Sequence, residues 1–210
     1  MSYLTQAFLD YESAARHQLR DVYDWHQLVW QAFPGRDGKP RDFLTRLDRR
    51  ERDQDFRLLI VSASRPERPA NWPEAAEAWQ TREITPAFLV HRHYRFQLRA
   101  NPTKRENVSR KRLPLRTTQE QIDWLKRKAV QSGFTFDETT LRIVPEGREW
   151  FRVEKRKQEG VHHAVEFEGL LAVSDPVAFQ SAFARGIGSA KGFGFGLLSL
   201  VPITMGGGTQ

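Results

Sequence analysis

Near residue 90 the order of extended and helical patterns along this chain starts again, and that repeat constrains the fold more than any other feature. In the first half, Tyr3–Leu9 reads as a strand. A long helix follows from Tyr11 to Phe33, because Ala15, Leu19, Val22, His26, Val29 and Phe33 recur at spacings of four and three. Pro34-Gly35 stops it. Strands are expected at Phe43–Asp48 and Phe56–Ser62. A proline-marked loop (Pro66, Pro69, Pro73), a short helix Glu74–Gln80 and a last strand Arg82–Thr85 complete the unit. The second half opens with the alternating run His91–Ala100. Thr117 and Glu120 then form a capping box for a helix Gln119–Ser132, ended by Gly133. Strands are expected at Leu141–Val144, Trp150–Lys155 and Ala164–Val173, a helix capped by Asp175 through Ala184, and a closing strand within Gly192–Ile203. Two β-α-β-β-α-β copies in tandem define an α+β chain of two ferredoxin-like domains, 1–88 and 89–204, with a flexible tail at 205–210. RNA-recognition domains use this topology, but topology alone does not give function.

Charge divides along the same line. Residues 1–90 carry 13 Lys and Arg against 14 Asp and Glu, and residues 91–210 carry 20 against 12. The net +7 therefore belongs to the second half, which points to a polyanion there or to a solvated arginine-rich surface. No apolar run approaches the roughly 18 residues a membrane span needs, and the N-terminus lacks the pattern of a signal peptide. The absence of cysteine excludes thiolate metal sites and disulfides and fits a cytoplasmic protein.

The segment Arg185–Ile203 holds Gly186, Gly188, Gly192, Gly194 and Gly196. Glycine tolerates positive φ and close backbone approach, so a partner must come near this loop. It is not a nucleotide cradle. Lys191 precedes Gly192 where a P-loop needs Gly-Lys-Ser/Thr, and a strand follows where a dinucleotide motif needs a helix. Phe193 and Phe195 read as core, and Lys191 as a phosphate contact.

His26 interrupts the apolar stripe of the first helix, with Tyr23 one turn earlier. Spacing leaves two readings, a buried histidine with a satisfied hydrogen bond or an imidazole facing a cleft for acid–base work. Trp25 and Trp30 read as packing residues. His91 with His93, and His162 with His163 in an expected turn, have no carboxylate or thiol to complete a metal shell, so no metal site is expected and they read as surface histidines. Two basic clusters remain. Lys104, Arg105, Arg110, Lys111, Arg112 and Arg116 precede the second-half helix, and Arg148, Arg152, Lys155, Arg156 and Lys157 lead to a hairpin near Gly160. Such clusters displace counterions from phosphates.

Several segments together carry a resemblance: RDVYDWHQLVWQAFP (Arg20–Pro34), RDFLTRLD (Arg41–Asp48), YRFQLRANPTK (Tyr94–Lys104), RLPL (Arg112–Leu115), QIDWLKRK (Gln121–Lys128), VEFEGLL (Val165–Leu171) and GIGSAKGFGFGLLSL (Gly186–Leu200). In this order they resemble the CasE family, the repeat-processing endoribonucleases of type I-E CRISPR systems. The resemblance implies binding of a CRISPR repeat stem-loop and one cleavage at the stem base, without metal or other cofactor. The substrate's 2′-OH attacks the adjacent phosphorus, leaving a 2′,3′-cyclic phosphate and a 5′-OH. It also implies that His26 does general acid–base work and that Tyr23 orients the phosphate, with Arg36, Lys39 and Arg41 as weaker candidates for neutralising charge. A basic hairpin entering the RNA groove would correspond to Arg152, Lys155, Arg156 and Lys157, with Lys104, Lys111 and Arg112 as further RNA contacts. The expected partners are repeat RNA, the mature crRNA and other Cascade subunits, with a monomer when free. A non-catalytic RNA-binding subunit is the alternative.

Overall fold

Alternation along β1 (Ser2–Asp10) buries Ala7 and Leu9 on one face and turns Leu4 to the other, the signature of a strand covered unequally on its two sides. The computed structural model describes residues 2–36, 39–70, 72–73, 78–107, 111–153 and 158–203; the side chains of 152, 153 and 158 are outside the description. β1 is central in an antiparallel sheet with β2 (Phe43–Arg50), β3 (Asp55–Ser62) and β4 (Trp79–Ile84), in the order β2-β3-β1-β4. Its helix face packs Ala7, Leu9, Phe43, Leu58 and Ile60 under Trp25, Leu28 and Val29.

The long helix expected from Tyr11 to Phe33 is two helices. α1 (Tyr11–Arg16) ends where Gln18 takes a left-handed φ of 57°, and its carbonyls are closed by Gln18 N–H to Ala15 O and Leu19 N–H to Ala14 O. α2 (Val22–Trp30) then starts afresh on a capping box of Asp21 and Asp24. Leu19 stands in the linker between the two helices, and Ala15, expected on the buried stripe, is exposed while Ala14 is buried. The helix expected over Glu74–Gln80 is also corrected at its end, since Trp79 and Gln80 belong to β4; residues 74–77 are outside the described residues.

The second sheet repeats the order. β5 (His93–Ala100) lies between β11 (Leu198–Pro202) and β10 (Gln158–Val173), and β8 (Phe134–Phe136) and β9 (Arg142–Val153) share the far edge of β10. α3 (Thr118–Gln131) carries the expected Thr117–Glu120 capping box, and α4 (Pro176–Arg185) the expected Asp175 cap. A small hairpin of β6 (Thr103–Arg105) and β7 (Arg112–Pro114) occupies what reads as loop. The strands expected at Leu141–Val144 and Trp150–Lys155 are one strand, β9. Gly160 and His162-His163 lie within β10 rather than at a turn, and the closing strand begins only at Leu198. The tail 205–210 is outside the described residues. Among the described residues no helix is long and apolar enough to cross a membrane.

The sheet face of the first domain that carries no helix meets the second domain. Leu44, Val61, Phe183 and Leu197 are buried there together. Beside them Arg46 donates from Nη1 to Glu166 Oε1 at 2.9 Å and from Nε to Asp48 Oδ1 at 2.8 Å, while Arg57 holds the other oxygen of Asp48. The Arg46 and Glu166 side chains are 7% and 5% exposed. The glycine loop closes over this seam. A Cβ on Gly186 would stand 2.8 Å from Leu44 Cδ2, and one on Gly196 2.5 Å from Ile187 O, both at positive φ. Truncating Arg46 to Ala leaves Glu166 buried without its cation and is expected to cost about 3–5 kcal/mol. Urea unfolding checks this; a loss under about 1 kcal/mol contradicts it.

Candidate RNA-processing cleft

α2, the glycine loop and the β9–β10 ribbon enclose a cleft of about 790 Å³ between the domains. Tyr23, His26 and Gln27 line it from the first domain. Asn101, Arg112, Phe151, His162, His163, Lys191 and Phe193 line it from the second.

His26 reaches the cleft because it stands one residue, about 100°, round α2 from Trp25, at the edge of the core stripe of Trp25, Leu28 and Val29. Its Nε2 accepts a hydrogen bond of 3.0 Å from the Trp30 indole, and its ring lies 5.9 Å from that of Phe43. Its Nδ1 is buried with no hydrogen-bond partner among the described residues. Burial, and then the charge of Arg41, holds its pKa down at about 4, so the ring is neutral at pH 7. Arg41, a weak candidate in the sequence, is near enough for its charge to act on this ring, its guanidinium carbon 6.0 Å from the Phe43 ring centroid. Its Nη1 would lie 3.2 Å from a Cβ on Gly192, and among the described residues no carboxylate pairs with it.

His162 reads in the sequence as a surface histidine, and the structure corrects that. Its ring stacks on Phe151 at 4.7 Å and meets Phe193 at 4.9 Å, and its Nδ1 lies 2.9 Å from Asn101 Nδ2. Burial, then Arg112 and His163, holds its pKa at about 4. A turn is expected there; instead β10 continues, and its alternation puts His162 with Ala164 and Glu166 on the face turned toward the first domain. Trp30, read as packing, is the hydrogen-bond donor to His26. Trp25 is core as expected, as is Phe195, whereas Phe193 is only half-buried and lines the cleft.

The other sequence candidates separate. Lys191 lines the cleft, donates to Arg185 O at 2.8 Å, and is held below the usual lysine range by burial and by Arg41. Arg112 lines it with an exposed side chain. Arg36 does not; it pairs with Asp42 and donates to Ser64 Oγ at 3.1 Å, tying down the chain before β2. Lys39 is exposed, away from the lining residues. Lys104 pairs with Glu120 at 3.0 Å beside α3, and Lys111 is exposed just before β7. Arg152 has its backbone in β9, with its side chain outside the description; Lys155, Arg156 and Lys157, like Arg110, lie outside the described residues. Among the described residues no three His, Asp or Glu side chains gather as metal ligands would.

Residues 2–202 match the family described as CRISPR associated protein. The chain is 33% identical over 200 residues to the CRISPR system Cascade subunit CasE of Escherichia coli, covering 90% of this chain and 96% of that protein. It is 30% identical over 214 residues to the CRISPR-associated endoribonuclease Cse3 of Thermus thermophilus, covering 95% and 100%. The structure of Thermus thermophilus Cse3 bound to an RNA representing a pre-cleavage complex superposes with a TM-score of 0.77 at 31% identity, covering 96% of this chain and 99% of that one.

Because the two cleft histidines are neutral in the fold, acid works against it. An unfolded histidine binds a proton below about pH 6.5, whereas His26 and His162 resist until about pH 4, so stability present above pH 6.5 is lost as pH falls toward 4. Titration of the histidine ring signals by NMR is expected to show two groups with midpoints near pH 4. Midpoints near 6.5 for both would contradict the burial.

Proposed function

Since this chain belongs to the CRISPR-associated protein family, we propose that it is an endoribonuclease that binds a CRISPR repeat stem-loop and cleaves it at the stem base to give mature crRNA. The observation that carries the reading is His26 beside Tyr23 on the wall of an interdomain cleft, with Arg112 and Lys191 lining it and the charge of Arg41 acting on the imidazole. Cleavage by an internal nucleophile needs little more. The 2′-oxygen forms a bond to the adjacent phosphorus as the bond from phosphorus to the 5′-oxygen breaks. One proton leaves the 2′-hydroxyl and one reaches the departing 5′-oxygen, so no water or cofactor is consumed.

In this reading His26 moves those protons, and Tyr23 and Arg41 face the phosphate. A phosphorane-like transition state concentrates negative charge on its equatorial oxygens, where fixed cations act most strongly. Lys191, Arg112, Lys104 and Lys111 follow the RNA backbone, and Arg152, Lys155, Arg156 and Lys157 form the groove-entering hairpin. Arg36 is left out of the RNA contacts, since its charge is taken up by Asp42. The domains divide at residues 88 and 89, within the turn Pro86–Leu89. After cleavage the product stays bound and the protein works as a Cascade subunit, as the E. coli relative is named. With a transcript as substrate, the cytoplasm is the compartment implied.

Incubation with cognate repeat RNA in EDTA is expected to give a single cut with 2′,3′-cyclic phosphate and 5′-OH ends. His26→Ala is expected to slow it about 10²–10⁴-fold while leaving RNA binding within a few-fold. Tight, salt-sensitive binding with uncut RNA would instead identify a non-catalytic RNA-binding subunit.

A further inference from the structure

Both cleft histidines hand one ring nitrogen to a neighbour that leaves no choice of proton position. An indole N–H only donates, so the Nε2 of His26 that it reaches at 3.0 Å must accept, and the neutral ring carries its hydrogen on Nδ1. At His162 the logic runs through Asn101. Its Oδ1 accepts from the His163 backbone N–H at 3.2 Å, which turns Nδ2 toward His162 Nδ1 at 2.9 Å. An amide nitrogen also only donates, so this Nδ1 accepts and the hydrogen of the neutral ring sits on Nε2. The two remaining nitrogens, His26 Nδ1 and His162 Nε2, are buried and have no partner among the described residues. An unanswered buried N–H is costly, so both positions are poised for an acceptor.

We infer that Trp30 and Asn101 lock the cleft histidines in opposite neutral tautomers, with the hydrogen on Nδ1 of His26 and on Nε2 of His162, and that these N–H groups, covered in the free protein, donate to backbone oxygens of the RNA strand once the side chains over them move aside. The inference rests on reading the cleft as the RNA site and adds His162 to it as a binding residue, with Trp30 and Asn101 as positioning residues. An RNA strand suits this arrangement because its phosphate oxygens only accept. The lock also bears on the reaction. While Trp30 holds Nε2, His26 has no lone pair open to the 2′-hydroxyl proton, so it takes that proton on Nε2 only after the indole lets go.

Long-range ¹H–¹⁵N correlation at pH 7 on histidine-labelled free protein reads the tautomers directly, with signals assigned from His26→Ala and His162→Phe. The expected result is a protonated Nδ1 at His26 and a protonated Nε2 at His162. Trp30→Phe, which keeps the ring and removes the donor, is expected to release the Nδ1–H preference at His26 and leave His162 unchanged. The opposite tautomer at either ring, or no response to Trp30→Phe, would overturn the lock. Binding of repeat RNA with a 2′-deoxy nucleotide at the cleavage position tests the contact. His162→Phe is expected to weaken it about tenfold or more, and unchanged affinity would remove His162 from the RNA site. If His162→Phe does not fold, the same binding measured with His162→Gln decides it. The tautomers are read without RNA, so a failure of the RNA reading would appear separately, as wild-type protein that does not bind the repeat.

Discussion

Arg46 and Glu166 face each other between the two sheets, almost out of reach of water, and the cleft depends on that contact. One wall of the cleft belongs to α2 and the other to β9, β10 and the glycine loop, so neither domain contains it alone. The apolar seam of Leu44, Val61, Phe183 and Leu197 draws the domains together, but hydrophobic contact is not directional. A guanidinium shared between Glu166 and Asp48 is. It tolerates little rotation before a buried charge loses its partner. Burial pushes the Glu166 carboxyl up to about 7 against the opposing pull of Arg46, a measure of how far from water this contact lies.

Arginine in this protein is as much an internal fastener as a surface charge. Arg99 is buried, donates to Glu146 at 2.5 Å, pairs with Glu149 and lies over the ring of Phe195, joining β5 to β9 and to the glycine loop. Arg46 and Arg36 are likewise committed to carboxylates. Among the described residues the cations lining the cleft are Arg112 and Lys191. Burial and then the charge of Arg41 lower the pKa of His26 and Lys191, and burial and then Arg112 that of His162. A polyanion entering the cleft would offset these charges and so favour protonation of the same histidines. In the free protein, burial, nearby cations and donor neighbours all hold the rings neutral.

Local signals in the chain translated directly where the physics is local. The Thr117–Glu120 box and the Asp175 cap act on backbone groups within four residues, and both stand as read. The break at Gln18 escaped because apolar spacing does not report whether the backbone continues; Ala15, Leu19 and Val22 keep the spacing although Ala15 is exposed and Leu19 stands in the linker. His162 escaped for a different reason. The alternation of β10 puts it on the face of Ala164 and Glu166, and nothing in the residue string says that the first domain covers that face.

By itself, then, the sequence determined the two-domain α+β plan, the helix caps, the glycine-dependent loop and the pairing of His26 with Tyr23, because each follows from spacing along one element. Only the tertiary structure decided which charges are free and which nitrogens carry protons. It placed Arg36 with Asp42, Arg46 with Glu166, Trp30 on His26 and Asn101 on His162. Arg46 and Glu166 lie 120 residues apart and Asn101 and His162 61, while Trp30, one helical turn from His26, is in reach by spacing but its hydrogen bond is fixed only by the packing around α2. Whether a titratable group is desolvated, paired or left open depends on what packs against it from elsewhere in the chain, and that distance no local pattern spans.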